Sequence, residues 1–317
     1  MDIKRPRIGI IGAGAIGGFY GLMLERAGFD VHFLLRGDYE AVREQGLLLK
    51  SREFGDHHLN PAQVYRDAAQ MPACDWLLVG AKTTSNVALA PVIGQAAAPR
   101  ARVLLLQNGL AVEDKMRSLL PGGLHLLGGL CIVSVHRRGA GVIEHHAYGS
   151  VNLGYHSGPE NADETPRQIL EEGASLFRQA GLDTPLMDDL VQARWQKLVM
   201  NIPFNGLSVL LGSGTQALMT QPATRSLVRE LMEEVAAGAM ACGHALPEGY
   251  LDKAWAATDG KPDYQPSMAL DYSERRALEL DAIYGAPLAA AAKAGCAMPK
   301  VEMLYQTLCF LDGRNRH

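Results

Sequence analysis

The chain has 317 residues, of which 48% are hydrophobic and 20% charged. This length and composition predict two globular domains rather than a disordered chain. The formal net charge of −4 provides no overall attraction to nucleic acid or to an anionic membrane. No apolar run reaches the roughly 18 residues of a transmembrane helix. The five scattered cysteines form no C-x-x-C pair and the N-terminus lacks a signal-peptide pattern, which together predict a cytoplasmic protein.

The first half of the chain begins with a strand, a glycine-rich turn and a helix. Residues 7–11 form a short apolar run, and the turn follows at residues 12–17. Apolar residues at helical spacing cover residues 18–27, and residues 31–35 are typical of a second strand. The whole segment has the length of about 30 residues expected for a β-α-β unit, which predicts two parallel strands.

Further apolar runs extend this sheet. The strands expected next lie at 46–50, 76–81 and 103–107, with helices at 84–95 and 112–119. Because these strands are continuously apolar rather than alternating, they indicate a parallel sheet covered on both faces. After Pro121, an antiparallel extension of the sheet is predicted from strands at 124–135, 142–146 and 151–155.

The second half of the chain is predicted to be helical. Strand patterns end near residue 185, and helices are expected at 188–211, 221–242, 248–256, 273–294 and 300–311. The predicted fold is therefore α/β, with an N-terminal Rossmann-like, doubly wound sheet followed by an all-helical C-terminal domain. We place the first domain at residues 1–186 and the second at residues 187–317.

The glycine turn has a spacing that suits a dinucleotide. Between a predicted strand and a predicted helix, it follows the pattern G-x-G-x-x-G with Gly12, Gly14 and Gly17. The first glycine allows a tight turn, the second lets a pyrophosphate approach the backbone, and the third lets the helix pack closely on the strand. A purely structural turn is the alternative, since a chain with 34 glycines produces near-matches by chance.

An arginine follows the second strand. Arg36 lies 19 residues after Gly17, where NAD-binding enzymes carry an acidic residue for the ribose hydroxyls. A guanidinium at this place suits the 2′-phosphate of NADPH, which we predict as the cofactor of the first domain. Asp38 keeps NAD as an alternative, and a solvated arginine at a strand end is another.

Three polar residues recur every four positions in an otherwise apolar segment of the second domain. They are Lys197, Asn201 and Asn205, and on a helix they line one face. Burial of such groups without partners is costly, so they require a ligand or hydrogen-bond partners within the fold. Pro203 is expected to kink the helix. The alternative is that Lys197 extends to water while the two amides cap neighbouring loops.

Motifs in a consistent order over nearly the whole chain resemble those of the ketopantoate reductase (2-dehydropantoate 2-reductase) family. Beyond the residues already named, they are Ala81-Lys82-Thr83, Gln107-Asn108-Gly109, Trp195-Gln196-Lys197-Leu198, Pro266-Ser267-Met268 with Asp271, and Leu278-Glu279-Leu280-Asp281. The resemblance implies an NADPH-dependent oxidoreductase of pantothenate biosynthesis. Its substrate is then a branched 2-keto acid, 2-dehydropantoate, which is reduced to pantoate.

The resemblance also implies a role for each matching residue. The implied catalytic residues are Lys197, as the general acid, and Glu279. The implied substrate contacts are Lys197, Asn201, Asn205 and Ser267. The implied cofactor contacts are Gly12, Ala13, Gly14, Ala15, Ile16, Gly17, Arg36, Lys82, Asn108 and Glu279. Taken alone, each of four residues is better explained without a functional role: Lys82 as a surface charge, Asn108 as a turn residue, Ser267 as a helix N-cap and Glu279 as part of a solvated helix face.

Departures from the family pattern leave the substrate open. Leu110-Ala111, Leu278, Tyr284-Gly285 and Thr215 replace residues that are frequent in relatives, and Thr215 replaces an asparagine that contacts substrate there. A related reductase acting on another 2-keto acid is therefore one alternative. A non-catalytic NADPH-binding redox sensor is another, although it gives no reason for Lys197, Asn201 and Asn205 to occur together.

The predicted partners follow from the same features. We expect a small 2-keto acid as substrate, no nucleic acid and no membrane. No metal site is expected, because no histidine stands at zincin-type spacing from a carboxylate. The apolar surface of the helical domain is compatible with a homodimer, although an apolar helix also serves as core.

Overall fold

The computed structural model describes residues 5–259 and 263–316. It contains two compact units. The first consists of the chain up to Gln107 together with Val112–Leu190, and the second of Asn108–Ala111 together with the chain from Val191 onward. The domain limits predicted at residues 186 and 187 stay a prediction. The predicted absence of a signal peptide rests partly on residues 1–4, which lie outside the described residues.

The first unit contains a nine-stranded sheet. Its strands in chain order are β1 (Arg7–Ile11), β2 (Asp30–Leu34), β3 (Leu47–Ser51), β4 (His57–Leu59), β5 (Val64–Tyr65), β6 (Cys74–Val79), β7 (Ala97–Leu105), β8 (His125–Gly139) and β9 (Val142–Ser157). In space they follow the order β4-β3-β9-β8-β7-β6-β1-β2-β5. Along this order, each pair of neighbouring strands from β8 to β5 is parallel. β8 pairs with β9 in the antiparallel sense.

Helices accompany this sheet along the chain. They are α1 (Ala15–Arg26), α2 (Tyr39–Gln45), α3 (Asn86–Ala96), α4 (Val112–Arg117) and α5 (Pro166–Gln179). Ile8, Ile10 and Leu78 of the central strands have no exposed surface, as expected for a parallel sheet covered on both faces. The predicted α/β class and the antiparallel extension are confirmed.

Several elements of the first unit differ from the prediction. The strands predicted at 142–146 and 151–155 are one strand, β9, which carries Tyr148 at positive φ in its middle. Helix α5 was not predicted, although Thr165 and Gln168 form a capping box at its start. That pattern, threonine followed three residues later by glutamine, is a known sequence signal for a helix N-terminus.

The second unit is helical, as predicted. Its helices are α6 (Leu190–Leu211), α7 (Thr215–Thr220), α8 (Pro222–Ala241), α9 (Tyr250–Ala256), α10 (Ser267–Ser273), α11 (Ala286–Lys293) and α12 (Pro299–Asn315). Helix α6 continues for eight residues beyond Pro203, which therefore does not end it. Among the described residues, no helix has both the length and the apolar character needed to cross a membrane.

The single helix predicted at 273–294 is wrong in its first third. Residues 276–279 are not helical, and a π-helical turn, Asp281–Gly285, precedes α11. Two side chains explain the break. Asp271 forms an ion pair with Arg276 (3.0 Å), and the backbone N–H of Leu278 donates to the Asp312 carboxylate (3.1 Å) instead of to a helical carbonyl.

Candidate active site

The glycine turn of the first unit is built by close backbone packing. Gly12 has φ +88°, and a β-carbon on it would lie 2.8 Å from the backbone nitrogen of Ala81. A β-carbon on Gly80 would lie 2.7 Å from the α-carbon of Gly17. Only glycine fits such an approach of a helix to a strand end, which supports the roles predicted for Gly12 and Gly17 in the turn.

Gly14 faces open space instead. It is the N-cap of α1, and among the described residues no side chain caps this helix end and nothing lies within 4 Å of a β-carbon placed on Gly14. The first N–H groups of a helix have no intrahelical acceptor and carry a positive partial charge. An uncapped helix end with room in front of it therefore fits an anionic group such as a pyrophosphate.

A cleft of about 320 Å³ adjoins this turn. Gly12, Ala13, Gly14 and Arg36 all line it, so four of the predicted cofactor residues are brought together in one place. The remaining lining residues are Ile11, Leu34, Leu35, Gly37, Asp38, Ala81, Ser85, Leu89 and Arg137. Ala15, Ile16 and Gly17 are not among them, because they continue into α1. The apolar walls, the helix end and the arginine fit a dinucleotide.

Arg137 of β8 was not predicted from the sequence as part of this cleft. Its guanidinium Nη1 lies 2.6 Å from the Asp38 carboxylate. Asp38, which kept NAD open as an alternative cofactor, is therefore already engaged by a cation. No local pattern marks Arg137, since it lies about 100 residues further along the chain and reaches the cleft only through the β8–β9 hairpin.

Lys82 follows β6 at the carboxyl edge of the sheet. It is half-buried and precedes the 3₁₀ turn Thr83–Ser85, and it does not line the cleft described above. A buried amide pair supports this edge: Gln107 donates to the carbonyl of Ala81 (2.7 Å) and to the Asn86 side chain (2.7 Å). The amide of Asn86 donates back to Gln107 at 3.2 Å, so the chain segments on either side of Lys82 are held in place.

The polar face predicted in the second unit lies on α6. Lys197, Asn201 and Asn205 recur at four-residue spacing within this helix, which places them on one face. Lys197 and Asn201 are half-buried. The amide nitrogen of Asn201 is inaccessible to solvent and has no hydrogen-bond partner among the described residues. Buried donors are nearly always satisfied, so this one points to a ligand that accepts a hydrogen bond.

Asn205 has a different environment. It is buried, and its side-chain oxygen accepts a hydrogen bond from the backbone N–H of Met268 (3.2 Å). This bond fixes the N-terminus of α10 beside α6. Ser267, the exposed first residue of α10, is thereby brought close to the polar face.

Glu279 lies just before the π-helical turn and is buried, rather than on the solvated helix face that is its alternative. Gly109 packs against this turn: a β-carbon there would lie 2.5 Å from that of Ala282. The N–H of Leu110 also donates to the carbonyl of Ala282 (2.9 Å). Asn108, half-buried, precedes this contact, so the segment that carries it packs on the turn that follows Glu279.

Tyr284 anchors the π-helical turn to α6. It is fully buried, and its hydroxyl donates to the carbonyl of Ile202 at 2.8 Å. Burial raises the pKa of Tyr284, so this hydroxyl stays protonated and remains a donor. π-Helical turns recur at functional sites. Tyr284 appeared in the sequence only as a departure from the family pattern.

Within residues 5–259 and 263–316, no group of three or more His, Cys, Asp or Glu side chains has the arrangement of a metal site. Two sets of residues are candidates for chemistry: the glycine turn with its arginines in the first unit and the polar face of α6 in the second.

Comparisons with known proteins cover both units. The family model described as Ketopantoate reductase PanE/ApbA matches residues 8–158, and the model of its C terminus matches residues 189–311. A curated 2-dehydropantoate 2-reductase from Nostoc sp. is 43% identical over 315 residues, which cover 99% of this chain and 98% of that protein.

Solved structures agree with this match. The crystal structure of 2-dehydropantoate 2-reductase from Geobacter metallireducens superposes with a TM-score of 0.87 at 40% identity, over 97% of this chain and 99% of that one. The enzyme of the same name from Methylococcus capsulatus gives a TM-score of 0.86 at 32% identity over 98% of both chains. The chain therefore belongs to the ketopantoate reductase family, PanE/ApbA.

Proposed function

We propose that the protein reduces 2-dehydropantoate to pantoate, the step that this family contributes to pantothenate biosynthesis. The observation that carries the proposal is the polar face of α6, where Lys197 stands one turn from Asn201, whose buried amide nitrogen has no partner among the residues that the structure describes. Full-length similarity to the Nostoc reductase supports the same substrate. A branched 2-keto acid offers oxygens that can accept a hydrogen bond from the Asn201 amide nitrogen.

A nicotinamide dinucleotide fits the first unit. The uncapped N-terminus of α1 and the open space at Gly14 suit the pyrophosphate, and Arg36 suits a 2′-phosphate. When bound in its reduced form, this cofactor supplies a hydride to the keto carbon. NADPH is our preferred form, because Arg36 lines the cleft and the carboxylate of Asp38 is already paired.

Lys197 serves as the general acid in this proposal. Reduction of a ketone places negative charge on its oxygen, and an ammonium group both stabilises that charge and donates the proton that completes the hydroxyl. Asn201 donates a hydrogen bond to the substrate from its buried amide. Asn205 holds Met268 and thereby Ser267, whose hydroxyl suits the substrate carboxylate.

Glu279 is proposed to act beside the cofactor ribose and Lys197. A buried carboxylate beside an ammonium group stabilises its positive charge, which supports the role proposed for Lys197. Lys82 and Asn108 follow strand ends at the sheet edge where ligands bind in open α/β folds, and we propose that both contact the cofactor.

A direct assay tests the activity. Purified protein is mixed with NADPH and each of a panel of branched and unbranched 2-keto acids that includes 2-dehydropantoate. Oxidation of NADPH is followed at steady state, and the product is identified by mass spectrometry. We expect the highest kcat/KM with 2-dehydropantoate. Tight NADPH binding without turnover of any panel member would contradict the proposal and favour a redox sensor.

A reductase for another 2-keto acid is the second candidate, because of Thr215. Its side chain is buried and its hydroxyl donates to the carbonyl of Tyr264 (3.4 Å). A residue engaged within the fold in this way does not replace the substrate contact of the family asparagine. A panel member that exceeds 2-dehydropantoate in kcat/KM would favour this candidate.

The cofactor form has its own test. Arg36→Ala should raise KM for NADPH by about tenfold or more while changing KM for NADH little, because only NADPH carries the 2′-phosphate. An equal change for both cofactors would mean that Arg36 does not contact that phosphate.

The homodimer stays a prediction, which sedimentation of the pure protein tests.

A further inference from the structure

We infer that Arg137 is a second determinant of cofactor choice: it contacts the 2′-phosphate together with Arg36 and, by pairing with Asp38, prevents that carboxylate from binding a bare ribose. The inference rests on the proposed binding of NADPH in the cleft of the first unit. It assigns a role to a residue of the β8–β9 hairpin, far from the glycine turn in sequence.

The position of Arg137 is the first observation. It lies near the end of β8, in register with Ile143 of β9, and lines the same cleft as Gly12, Gly14 and Arg36. Its side chain is 41% exposed, so the guanidinium is partly open to solvent and to a ligand. Within the part of the chain that the structure describes, this guanidinium contacts the Asp38 carboxylate through Nη1, and a guanidinium has five N–H donors in all. Donors therefore remain for a phosphate.

The pairing with Asp38 is the second observation. Asp38 lies four residues after the end of β2. In NAD-binding enzymes, an acidic residue close to this place selects NAD by accepting hydrogen bonds from the ribose diol. At 2.6 Å from Arg137, and with 22% of its side chain exposed, this carboxylate is neutralised and oriented by the arginine. An unpaired carboxylate at this place would attract a diol and repel a phosphate.

Charge then decides between the two cofactors. Two guanidinium groups and one carboxylate give the cleft a net positive charge at this end. A phosphate monoester carries about −1.5 to −2 charges at neutral pH and prefers planar, multiply donating arginines. A ribose diol carries no charge, so the arginines attract it less than a phosphate, and its hydroxyls gain most from an accepting carboxylate. The same three residues therefore favour NADPH and disfavour NADH.

Equilibrium binding of the oxidised cofactors tests the inference. The dissociation constants of NADP⁺ and NAD⁺, and of the fragments 2′,5′-ADP and 5′-AMP, are measured by titration calorimetry at low and at high salt. For Arg137→Ala we expect NADP⁺ and 2′,5′-ADP to bind about tenfold more weakly. NAD⁺ and 5′-AMP should bind as before or more tightly, and the loss for NADP⁺ should shrink at high salt.

Two further variants separate the parts of the inference. Arg138→Ala is the matched control, since the neighbouring arginine pairs with Glu144 and does not line the cleft; it should leave all four constants unchanged. Adding Asp38→Asn to Arg137→Ala removes the exposed carboxylate and should recover part of the lost NADP⁺ affinity. Failure to recover any would contradict the role given to the Asp38 pair.

The inference fails if Arg137→Ala leaves the ratio of NADP⁺ to NAD⁺ affinity within twofold of the unmutated protein while Arg36→Ala lowers it. That outcome would leave the proposed reductase intact. Conversely, absence of 2-dehydropantoate reduction by the unmutated protein would refute the proposed substrate, but it would not alter a cofactor preference measured by binding alone.

Discussion

The two units of this protein present chemistry in different ways. The first offers mainly backbone: glycines without side chains, an uncapped helix end and strand ends that meet at one edge of a sheet. The second offers side chains at helical spacing on α6, held by bonds to neighbouring segments. A site formed by the backbone depends on the absence of side chains near the ligand, whereas a site formed by side chains depends on their functional groups. Substitutions that add a side chain should therefore impair the first unit, and substitutions that remove one should impair the second.

Lys197→Ala is the change with the largest expected effect. It should lower kcat for the proposed reduction by ~10²–10⁴, the span typical of a lost general acid. The dissociation constant of NADP⁺ should stay within about twofold, because Lys197 does not line the cleft of the first unit. Steady-state kinetics and calorimetry check the two halves of this prediction.

Two further variants sharpen that test. Lys197→Arg keeps a positive charge but does not release a proton at neutral pH, so its kcat should remain low. Lys293→Ala removes an exposed lysine of the same unit and should be close to normal. Near-normal turnover in Lys197→Ala would remove this residue from the mechanism.

Gly14→Asp tests the first unit, where adding a side chain should weaken cofactor binding. The new carboxylate would stand at the N-terminus of α1, in space that is open in this structure. It should weaken NADP⁺ binding by about 100-fold, since like charges brought together cost several kcal/mol. The same carboxylate caps the helix, so the melting temperature should stay the same or rise slightly.

Gly14→Ala is the control for this prediction, because it adds a methyl group without charge. It should reduce NADP⁺ affinity much less than the aspartate does. If both variants bind NADP⁺ normally, the pyrophosphate does not lie at this helix end, and the dinucleotide reading of the turn is wrong.

The contrast between the units also explains what the sequence could predict. The glycine turn and the face of α6 were predictable because both are local: a spacing of a few residues determines which groups meet. Arg36 followed from its distance along the chain from Gly17. The α/β order of the fold was predictable from apolar runs for the same reason.

Features that depend on distant contacts were not predictable. Arg137 reaches the cleft through a hairpin about 100 residues from the glycine turn, and Gly80 was seen only as part of a strand. The break before Glu279 arises because Asp312, on α12, takes the N–H of Leu278. The spacing of apolar residues along the sequence does not indicate such a partner, so the sequence predicted a continuous helix there.

The two asparagines of α6 separate binding from folding within the second unit. Asn205→Ala leaves the buried N–H of Met268 without its acceptor, so it should lower the free energy of unfolding by about 1–3 kcal/mol. Asn201→Ala removes a buried amide nitrogen that has no partner in the described residues, so its cost to stability should be smaller. It should instead raise KM for the keto acid by about tenfold.

Urea unfolding and steady-state kinetics of both variants check this pair. Equal losses of stability would mean that Asn201 is as much a structural residue as Asn205. In that case the unpartnered amide could not be taken as a mark of substrate binding.

Acidification should act on the first unit through its buried and half-buried histidines. Burial lowers the pKa of His125, and Arg102 lowers it further; burial also lowers the pKa values of His32 and His136. In the unfolded chain a histidine has a pKa of about 6.5. As the pH falls below that value, the unfolded state binds protons that the folded state does not, so stability is lost.

His125→Gln should reduce this loss. His125 has no exposed surface, its Nδ1 lies 3.1 Å from the hydroxyl of Tyr155, and its Nε2 has no hydrogen-bond partner among the described residues. Each pH unit below 6.5 lowers the free energy of unfolding by at most about 1.4 kcal/mol per such histidine, until the pH falls below the pKa of the folded state. Between pH 7.5 and 5.5, the variant's melting temperature should therefore fall by about 2–4 °C less than that of the unmutated protein. His58→Gln changes an exposed histidine and should leave the fall in melting temperature unchanged. An equal effect of both substitutions would mean that burial of His125 does not cause the loss of stability.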